Sequence, residues 1–152
     1  MPNKKLNVGD KAPEFTGLDQ NGTEVKLSDF LGRKLVLFFY PKDMTPGCTA
    51  EACNLRDNFS ELRKAGYEVI GVSADSEKRH QKFIETHGLP YSLVADEEKE
   101  IIKKFGVWGR KKFLGREYDG IKRTTFVIDE KGMIEKVIDQ VKTRDHTSQI
   151  LG

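Results

Sequence analysis

A continuous apolar run, Leu-Val-Leu-Phe-Phe-Tyr at residues 35–40, constrains the fold of this chain more than any other segment. A run without polar interruptions indicates a strand buried on both faces, and such strands belong to sheets that helices cover on each side. Pro41 follows the run and ends it, because proline cannot donate to the hydrogen-bond ladder of a central strand. The run therefore predicts an α/β protein built on a central sheet.

The segments around this strand alternate between strand and helix patterns. A helical stripe of apolar residues covers residues 46–65, and Gly66 stands where a C-terminal cap belongs. The other predicted elements are strands at residues 15–18, 23–27, 67–74, 91–95, 124–128 and 133–137, and helices at residues 76–87, 97–105 and 143–151. Strand–helix–strand units pair their strands in parallel, whereas hairpins add antiparallel pairs. We expect a mixed central sheet flanked by helices, with an N-terminal β-hairpin.

Length and charge limit the other possibilities. The 152 residues suit one domain, expected over residues 1–152. A net charge of +2 gives no reason to expect nucleic acid or a membrane surface as a partner. Residues 1–7, MPNKKLN, lack the apolar stretch of a secretory signal, and the longest apolar run is far too short to cross a membrane. A cytoplasmic location is expected.

The two cysteines, Cys48 and Cys53, favour reactive thiols over a structural bridge. A reducing compartment keeps thiols reduced, and a bridge across so short a loop would add little stability. A zinc site is not expected, because the chain has no CxxC pair and its histidines are scattered. No metal or organic cofactor is expected.

Cys48 is predicted to lie in the first turn of a helix. Thr45 is a favourable N-cap residue and Pro46 a favourable first helical residue. Unpaired backbone N–H groups and the positive end of the helix dipole stabilise an anion at such a position. We therefore expect Cys48 to ionise more readily than a free cysteine and to act as a nucleophile. The alternative is a buried, inert cysteine that packs as a small apolar side chain.

Residues 41–53, PKDMTPGCTAEAC, resemble the PxxxTxxC active-site motif of the peroxiredoxins, and TPGCTAEAC resembles their Q-type subgroup, also called bacterioferritin comigratory proteins. The similarity runs from VGDKAP at residues 8–13 to RTTFVID at residues 123–129 and on to the last predicted helix. Several motifs in the right order make this a specific match. One departure is Asn54-Leu55, where an aromatic residue is common in the family.

The resemblance implies a thioredoxin-like fold and an antioxidant thiol peroxidase that reduces hydrogen peroxide and organic hydroperoxides. It implies that Cys48 is the peroxidatic cysteine, which becomes a sulfenic acid, and that Cys53 is the resolving cysteine, which forms a disulfide with it. Thioredoxin or a similar dithiol protein would reopen the disulfide, and the protein would be a monomer. For Cys53, simple packing on a helix is the alternative.

The resemblance also assigns roles to four other residues. Thr45 would offer its hydroxyl to the peroxide and Pro41 would shield the thiolate from water. Arg123 would stabilise the thiolate, with its guanidinium within hydrogen-bond reach of the sulfur, and Glu51 would orient this arginine. The local sequence alone allows less for each of them: an N-cap, a strand terminator, a surface arginine and a favourable first-turn acid.

Three further features allow other interpretations. His80 and His87 lie seven residues apart on one predicted helix and are expected to be solvated. Residues 106–122 are rich in Gly, Lys and Arg and are expected to form a long loop beside the active site. Its aromatic residues could suggest nucleic acid, but no RNA-binding signature accompanies them. A general disulfide oxidoreductase, disfavoured by the missing CxxC, and a redox-regulated binding or chaperone module are the alternative functions.

Overall fold

The computed structural model describes residues 5–152. Within this range the strands are β1 (Thr16–Leu18), β2 (Glu24–Lys26), β3 (Lys34–Phe39), β4 (Tyr67–Ser73), β5 (Ser92–Ala95), β6 (Trp108–Phe113), β7 (Arg116–Ile121), β8 (Thr124–Ile128) and β9 (Ile134–Ile138). The helices are α1 (Pro46–Asp57), α2 (Phe59–Lys64), α3 (Glu77–His87), α4 (Glu100–Lys104) and α5 (His146–Leu151), and a short 3-10 helix spans Leu27–Phe30.

Five of these strands form the central sheet, in the order β5–β4–β3–β8–β9. β3 pairs in parallel with β4, and β4 with β5, through connections that contain α1, α2 and α3. β8 runs antiparallel to β3, and β9 antiparallel to β8. β1 and β2 form the hairpin near the N-terminus. The predicted mixed sheet, its flanking helices and the N-terminal hairpin are confirmed.

The apolar run at residues 35–40 is buried on both faces of the sheet, as predicted. Its odd-numbered residues belong to one apolar cluster and its even-numbered residues to a second cluster. Phe39 packs against Phe105 and Phe126 in the first cluster. Phe38 and Tyr40 lie in the second cluster together with Cys48. The strand thus separates two cores, and one of them reaches the cysteine at the start of α1.

The predicted continuous helix over residues 46–65 is wrong in one respect, because it breaks at Asn58. α1 ends at Asp57 and α2 begins at Phe59, with Asn58 at φ −111° and ψ 13° between them. The Asn58 side-chain amide donates to the carbonyl oxygen of Asn54 at 2.8 Å, which is the acceptor that its own backbone N–H also uses. Such local side-chain bonds compete with the helical pattern and are the reason for the break.

The loop predicted over residues 106–122 is also wrong, because β6 and β7 form a two-stranded antiparallel hairpin there. Leu114 and Gly115 make its turn, both with positive φ. Most side chains of the hairpin are exposed, so no alternation of apolar and polar residues marks its strands. Opposite charges face each other across it instead, as in the pair Arg110 and Asp119 at 3.4 Å.

No helix within residues 5–152 is long and apolar enough to span a membrane. The expectation about a secretory signal concerns residues 1–7, of which residues 1–4 lie outside the described part of the chain.

Candidate active site

Cys48 lies in the first turn of α1, directly after the loop that follows β3. Its side chain is buried, with a relative exposure of 1%, and it packs in the same apolar cluster as Ala52 and Leu55. Cys53 lies five residues further along the same unbroken helix and is half-buried. Both thiols are free, so the structure shows the reduced form. Together these observations place an unmodified thiol where the helix N-terminus favours an anion.

Arg123 contacts this thiol from the other side. It directly precedes β8, which is the antiparallel neighbour of β3, and this pairing brings it opposite the start of α1. Its Nη2 donates to Cys48 Sγ at 3.3 Å, and its Nη1 donates to Glu51 Oε1 at 2.7 Å. Burial lowers the pKa of Arg123, but Cys48 and Glu51 more than offset this and leave that pKa raised. The predicted contact between the guanidinium and the sulfur is present.

Glu51 is fully buried one turn after Cys48. The alternative of an ordinary first-turn acid does not fit, because Glu51 lies beyond the first turn and has no exposure to solvent. Burial raises its pKa from 4.5 to about 7, although the charge and hydrogen bond of Arg123 act in the opposite direction. Its Oε2 is the buried side-chain polar atom that lacks a hydrogen-bond partner within residues 5–152.

Thr45 and Pro41 lie in the loop that leads into α1. Thr45 has the extended backbone of an N-cap residue, but its hydroxyl donates to the carbonyl oxygen of Lys42 at 2.8 Å instead of capping the helix. Pro41 is half-buried at a bend after Tyr40 and ends the strand, as predicted. The loop therefore turns sharply between the end of β3 and Cys48, with the Thr45 hydroxyl held by a backbone carbonyl.

A buried hydrogen-bond network holds this loop, and sequence reasoning missed it. Asp43 has a relative exposure of 1%. Its Oδ1 accepts a hydrogen bond from the hydroxyl of Tyr40, and its Oδ2 lies 2.6 Å from His80 Nδ1. His80 is fully buried, and its Nε2 donates to the carbonyl oxygen of Val94 at 3.0 Å. The expectation that His80 is solvated is therefore wrong. The residue three positions later, Phe83, shares its buried helix face, and this spacing was the available signal.

The same network is the arrangement that most resembles a metal site. Asp43, Asp75 and His80 bring ligand-type atoms within 4.8 Å of one another. These atoms already have hydrogen-bond partners, however: Asp75 Oδ2 accepts from the Asp43 backbone N–H at 2.8 Å and from Ser73 Oγ at 2.6 Å. Arg79 also donates to Asp75 Oδ1 at 3.0 Å. The side chains are arranged for hydrogen bonding, which fixes the loop before Cys48.

His146, on α5, is a second buried histidine that sequence reasoning missed. Its Nε2 lies 3.4 Å from Glu51 Oε2 and 2.7 Å from Thr125 Oγ1. Its Nδ1 lies 2.9 Å from Gln149 Oε1. A single histidine in a short C-terminal helix carries no sequence signal for this position, because Glu51 and Thr125 are far away from it in the chain.

A cleft of about 600 Å³ opens beside Arg123. Aromatic and cationic side chains line it, including Trp108, Lys111, Lys122 and Phe126. Burial lowers the pKa of Lys111, and the nearby charge of Arg123 lowers it further. The hairpin β6–β7 supplies the first two of these residues, so it does lie beside the site, as was expected of the loop predicted there.

A reduced thiol that accepts a hydrogen bond from a half-buried arginine, at the start of the helix that follows a central strand, defines a thiol-dependent oxidoreductase with a thioredoxin-like fold. The AhpC/TSA family matches residues 8–137. The chain is 48% identical over 146 residues to Peroxiredoxin Bcp of Escherichia coli strain K12, with 96% of this chain and 94% of the relative covered. It is 46% identical to Peroxiredoxin Bcp of Bacillus subtilis strain 168, with 96% and 93% covered.

Solved structures agree with these relatives. Xylella fastidiosa PrxQ, in a mutant form, superposes with a TM-score of 0.90 at 32% identity, covering 97% of this chain and 94% of that one. A bacterioferritin comigratory protein of Xanthomonas campestris, described for its alkyl peroxide reduction activity, superposes with a TM-score of 0.87 at 32% identity and 95% coverage of both chains. The chain belongs to the AhpC/TSA family and is a peroxiredoxin of the Q or Bcp type, which makes it a thiol peroxidase.

Proposed function

We propose that this peroxiredoxin reduces hydrogen peroxide and organic hydroperoxides with Cys48, and that Cys53 then closes a disulfide that thioredoxin or a similar dithiol protein reopens. One observation carries the proposal: Cys48 Sγ lies in the first turn of α1 and accepts a hydrogen bond from Arg123 Nη2 at 3.3 Å. The helix terminus and the guanidinium both favour the thiolate, which is the reactive form of cysteine.

In the first step the Cys48 thiolate attacks one oxygen of the peroxide ROOH. An S–O bond forms, the O–O bond breaks, and the alkoxide takes up one proton and leaves as ROH. Arg123 stays charged through the step, and its donors stabilise the negative charge that moves from sulfur to the departing oxygen. Thr45 would turn its hydroxyl from the Lys42 carbonyl towards the peroxide, and Pro41 would shield the sulfur from water. Glu51 would hold the guanidinium in place through Oε1.

In the second step Cys53 attacks the sulfenic sulfur of Cys48. An S–S bond forms, and the hydroxyl group leaves as water after taking up a proton. A dithiol protein then reduces this bond by two thiol–disulfide exchanges and becomes oxidised itself. Organic hydroperoxides are included among the substrates because the similar protein from Xanthomonas campestris is described for alkyl peroxide reduction. We propose that the protein acts in the cytoplasm, where a reducing environment favours free thiols, and that it acts there as a monomer.

Stopped-flow mixing of the reduced protein with hydrogen peroxide and with an alkyl hydroperoxide tests this proposal. Cys48→Ser should abolish peroxide consumption while the fold is retained. Cys53→Ser should keep the first oxidation step but lose the disulfide and the turnover coupled to a dithiol protein. Peroxide consumption by Cys48→Ser would contradict the proposal, and so would normal thioredoxin-coupled turnover by Cys53→Ser. A disulfide oxidoreductase or a redox-regulated binding module would show no turnover that depends on peroxide.

A further inference from the structure

Three polar atoms from three separate elements meet behind Arg123, where no solvent reaches. They are Glu51 Oε2 from α1, Thr125 Oγ1 from β8 and His146 Nε2 from α5, and all three residues have a relative exposure of 0%. The histidine nitrogen is 2.7 Å from the threonine oxygen and 3.4 Å from the carboxyl oxygen. Which of these atoms carry hydrogens decides the charge next to Arg123.

The surroundings of Gln149 determine the tautomer of His146. The Gln149 side-chain nitrogen donates to the carbonyl oxygen of Gln140 at 2.9 Å, and its Oε1 accepts from the backbone N–H of Lys142 at 2.9 Å. The amide is therefore oriented with Oε1 towards His146 Nδ1, which must carry a hydrogen to donate across that 2.9 Å. In a neutral imidazole the other nitrogen, Nε2, is then a bare acceptor. At 2.7 Å the Thr125 hydroxyl donates to its single lone pair, so Nε2 has neither a hydrogen nor a free lone pair for Glu51.

An ionised Glu51 would fit this arrangement poorly. Its Oε2 would have no donor, and it would lie against the lone pair of His146 Nε2. One added proton removes the conflict, and the surroundings favour the carboxyl group as its site. Burial raises the pKa of Glu51 to about 7 and lowers that of His146. The carboxyl group is then neutral, and its Oε2 no longer places a negative charge beside Nε2.

The other titratable groups around Glu51 do not reverse this conclusion. Arg123 is in direct contact through Oε1 and favours the carboxylate, but its effect is smaller than that of burial. Tyr91, before β5, stays protonated, because burial raises its pKa well above 10. Cys48 raises the pKa of Arg123, and Arg123 lowers the pKa of Lys111 on β6, so these two groups are coupled to the arginine.

We propose that His146 is a positioning residue of the peroxidatic site, because its Nε2 binds the Thr125 hydroxyl and offers Glu51 no hydrogen, so that Glu51 stays protonated and leaves the positive charge of Arg123 to the Cys48 thiolate. The neutral carboxyl group still accepts the Nη1–H of Arg123 through Oε1, so it orients the guanidinium without neutralising it. The inference rests on the proposed function only in treating Cys48 as the reactive thiol. The position of the proton on Glu51 does not depend on it.

The substitution Glu51→Gln tests the charge of this residue. A glutamine has the shape of the protonated acid: its oxygen can accept from Arg123, and its NH2 group, like the carboxylic O–H, carries no charge. We expect the pKa of the Cys48 thiol, followed by thiolate absorbance in a Cys53→Ser background, to change by less than about half a unit. If Glu51 were ionised, the substitution would remove a negative charge beside Arg123, and the thiol pKa would fall by about one unit or more. That fall, or a comparable rise, would overturn the proposal.

The substitution His146→Leu, made with and without Glu51→Gln, tests the positioning role. Without the imidazole, the Thr125 hydroxyl can donate to Glu51 and favours the carboxylate, so the thiol pKa of Cys48 should rise. In the Glu51→Gln background the same change should leave that pKa unmoved. Equal effects in both backgrounds, or no effect in either, would contradict the proposal. The matched control is His87→Leu, which replaces a half-buried histidine on α3.

A measurement on the unmodified protein covers the case in which His146→Leu does not fold. The infrared spectrum of reduced protein with isotope-labelled glutamate should contain the carbonyl band of a protonated carboxylic acid at neutral pH, and Glu51→Gln should remove it. If no such band is present, the proposal is wrong. If the band is present but the protein does not react with peroxide, the proposed function fails while the position of the proton stands.

Discussion

Two side chains, Cys48 and Glu51, share the guanidinium of Arg123. Nη2 donates to the sulfur of Cys48 and Nη1 to the carboxyl group of Glu51, so the planar fork is held at two points. Gly47 permits this approach, because a Cβ atom at that position would lie only 3.1 Å from Nη2. The sulfur therefore accepts its hydrogen bond from a donor whose position is restricted on both sides.

Arg123→Ala should lower the second-order rate constant for the reaction of Cys48 with peroxide by on the order of 10²–10³, because it removes the cation and donor that stabilise charge on the reacting atoms. Stopped-flow kinetics with hydrogen peroxide gives this constant directly. Lys122→Ala, which removes the neighbouring exposed cation, is the control and should have a much smaller effect. Equal rate constants for Arg123→Ala and the unmodified protein would show that the contact has no part in the reaction.

The side chains of the site differ in how far the sequence could predict them. Cys48 and Arg123 belong to motifs, so their proximity could be predicted before the fold was known. The spacing of His80 and Phe83 indicated a buried helix face, but the partners of His80 and His146 could not be predicted, because only the folded chain brings them near. His80 meets Asp43, 37 positions away, and His146 meets Thr125, 21 positions away. A histidine on a short polar helix looks solvated until such partners are known.

At the scale of elements, the two cysteines of α1 lie at positions with different constraints. Cys48 is in the first turn, where terminal backbone groups lack helical partners. Cys53 precedes Asn54, whose side chain is hydrogen-bonded to α5. Asn54 Oδ1 accepts from the backbone N–H and the hydroxyl of Thr147 at 2.9 and 2.8 Å. Asn54 Nδ2 also donates to the carbonyl oxygen of Arg144 at 3.0 Å. The helix is thus anchored just after Cys53.

Disulfide formation should unwind α1 from its N-terminus up to this anchor. On an ideal helix, residues five apart have Cα atoms roughly 8.6 Å apart, whereas a disulfide needs about 7 Å or less. Hydrogen exchange should show protected amides at residues 50–53 in the reduced protein and rapid exchange there in the disulfide form, with residues 55–57 still protected. Cys53→Ser treated with peroxide is the control and should keep its protection. A Cys48–Cys53 disulfide with unchanged protection would contradict this prediction.

The hairpin β6–β7 shows why a polar strand pair is difficult to predict. Two of its six cross-strand pairs join opposite charges, and its turn is Leu114-Gly115 rather than the Asn-Gly that marks such turns. Leu114 has φ 51° and a relative exposure of 85%. Leucine is disfavoured in this left-handed conformation, whereas asparagine tolerates it. The turn residue that would have identified the hairpin is therefore absent from the sequence.

Leu114→Asn should stabilise the hairpin by roughly 0.5–1 kcal/mol, because it relieves the left-handed strain without removing a buried side chain. Amide exchange in β6 and β7 measures this local stability. Leu31→Asn is the matched control, since Leu31 is also exposed but has a φ of −58°. Faster exchange in Leu114→Asn than in the unmodified protein would contradict the prediction and would show that the leucine side chain stabilises the hairpin.

At the scale of the whole molecule, the core was the easiest part to predict and the ionic groups within it were the hardest. The apolar run at residues 35–40 indicates two buried faces, and the sheet has them. No sequence pattern indicates that a carboxyl group is fully buried beside one of these cores, as Glu51 is. Because its pKa is raised from 4.5 to about 7, this group links the stability of the whole fold to pH.

Glu51 should make the protein less stable as the pH rises. Between pH 4.5 and about 7 the unfolded chain has lost this proton while the folded chain keeps it, so the folded state binds more protons and its stability falls. The loss amounts to roughly 3 kcal/mol over that range. The unfolding free energy of Glu51→Gln, measured with urea under reducing conditions, should therefore increase relative to the unmodified protein from pH 5 to pH 8. A difference that stays constant would contradict this, and Glu85→Gln on the exposed face of α3 is the control.

The packing of Cys48 against the apolar residues of its core also bears on redox potential. The proposed disulfide requires α1 to unwind, so the oxidised protein gives up packing that the reduced protein keeps. For a two-electron couple, every 1.4 kcal/mol of such difference raises the reduction potential by about 30 mV. A better-packed start of α1 therefore makes the disulfide a stronger oxidant, and a dithiol protein of moderate reducing power suffices to reopen it. Substitutions that loosen this packing should lower the potential.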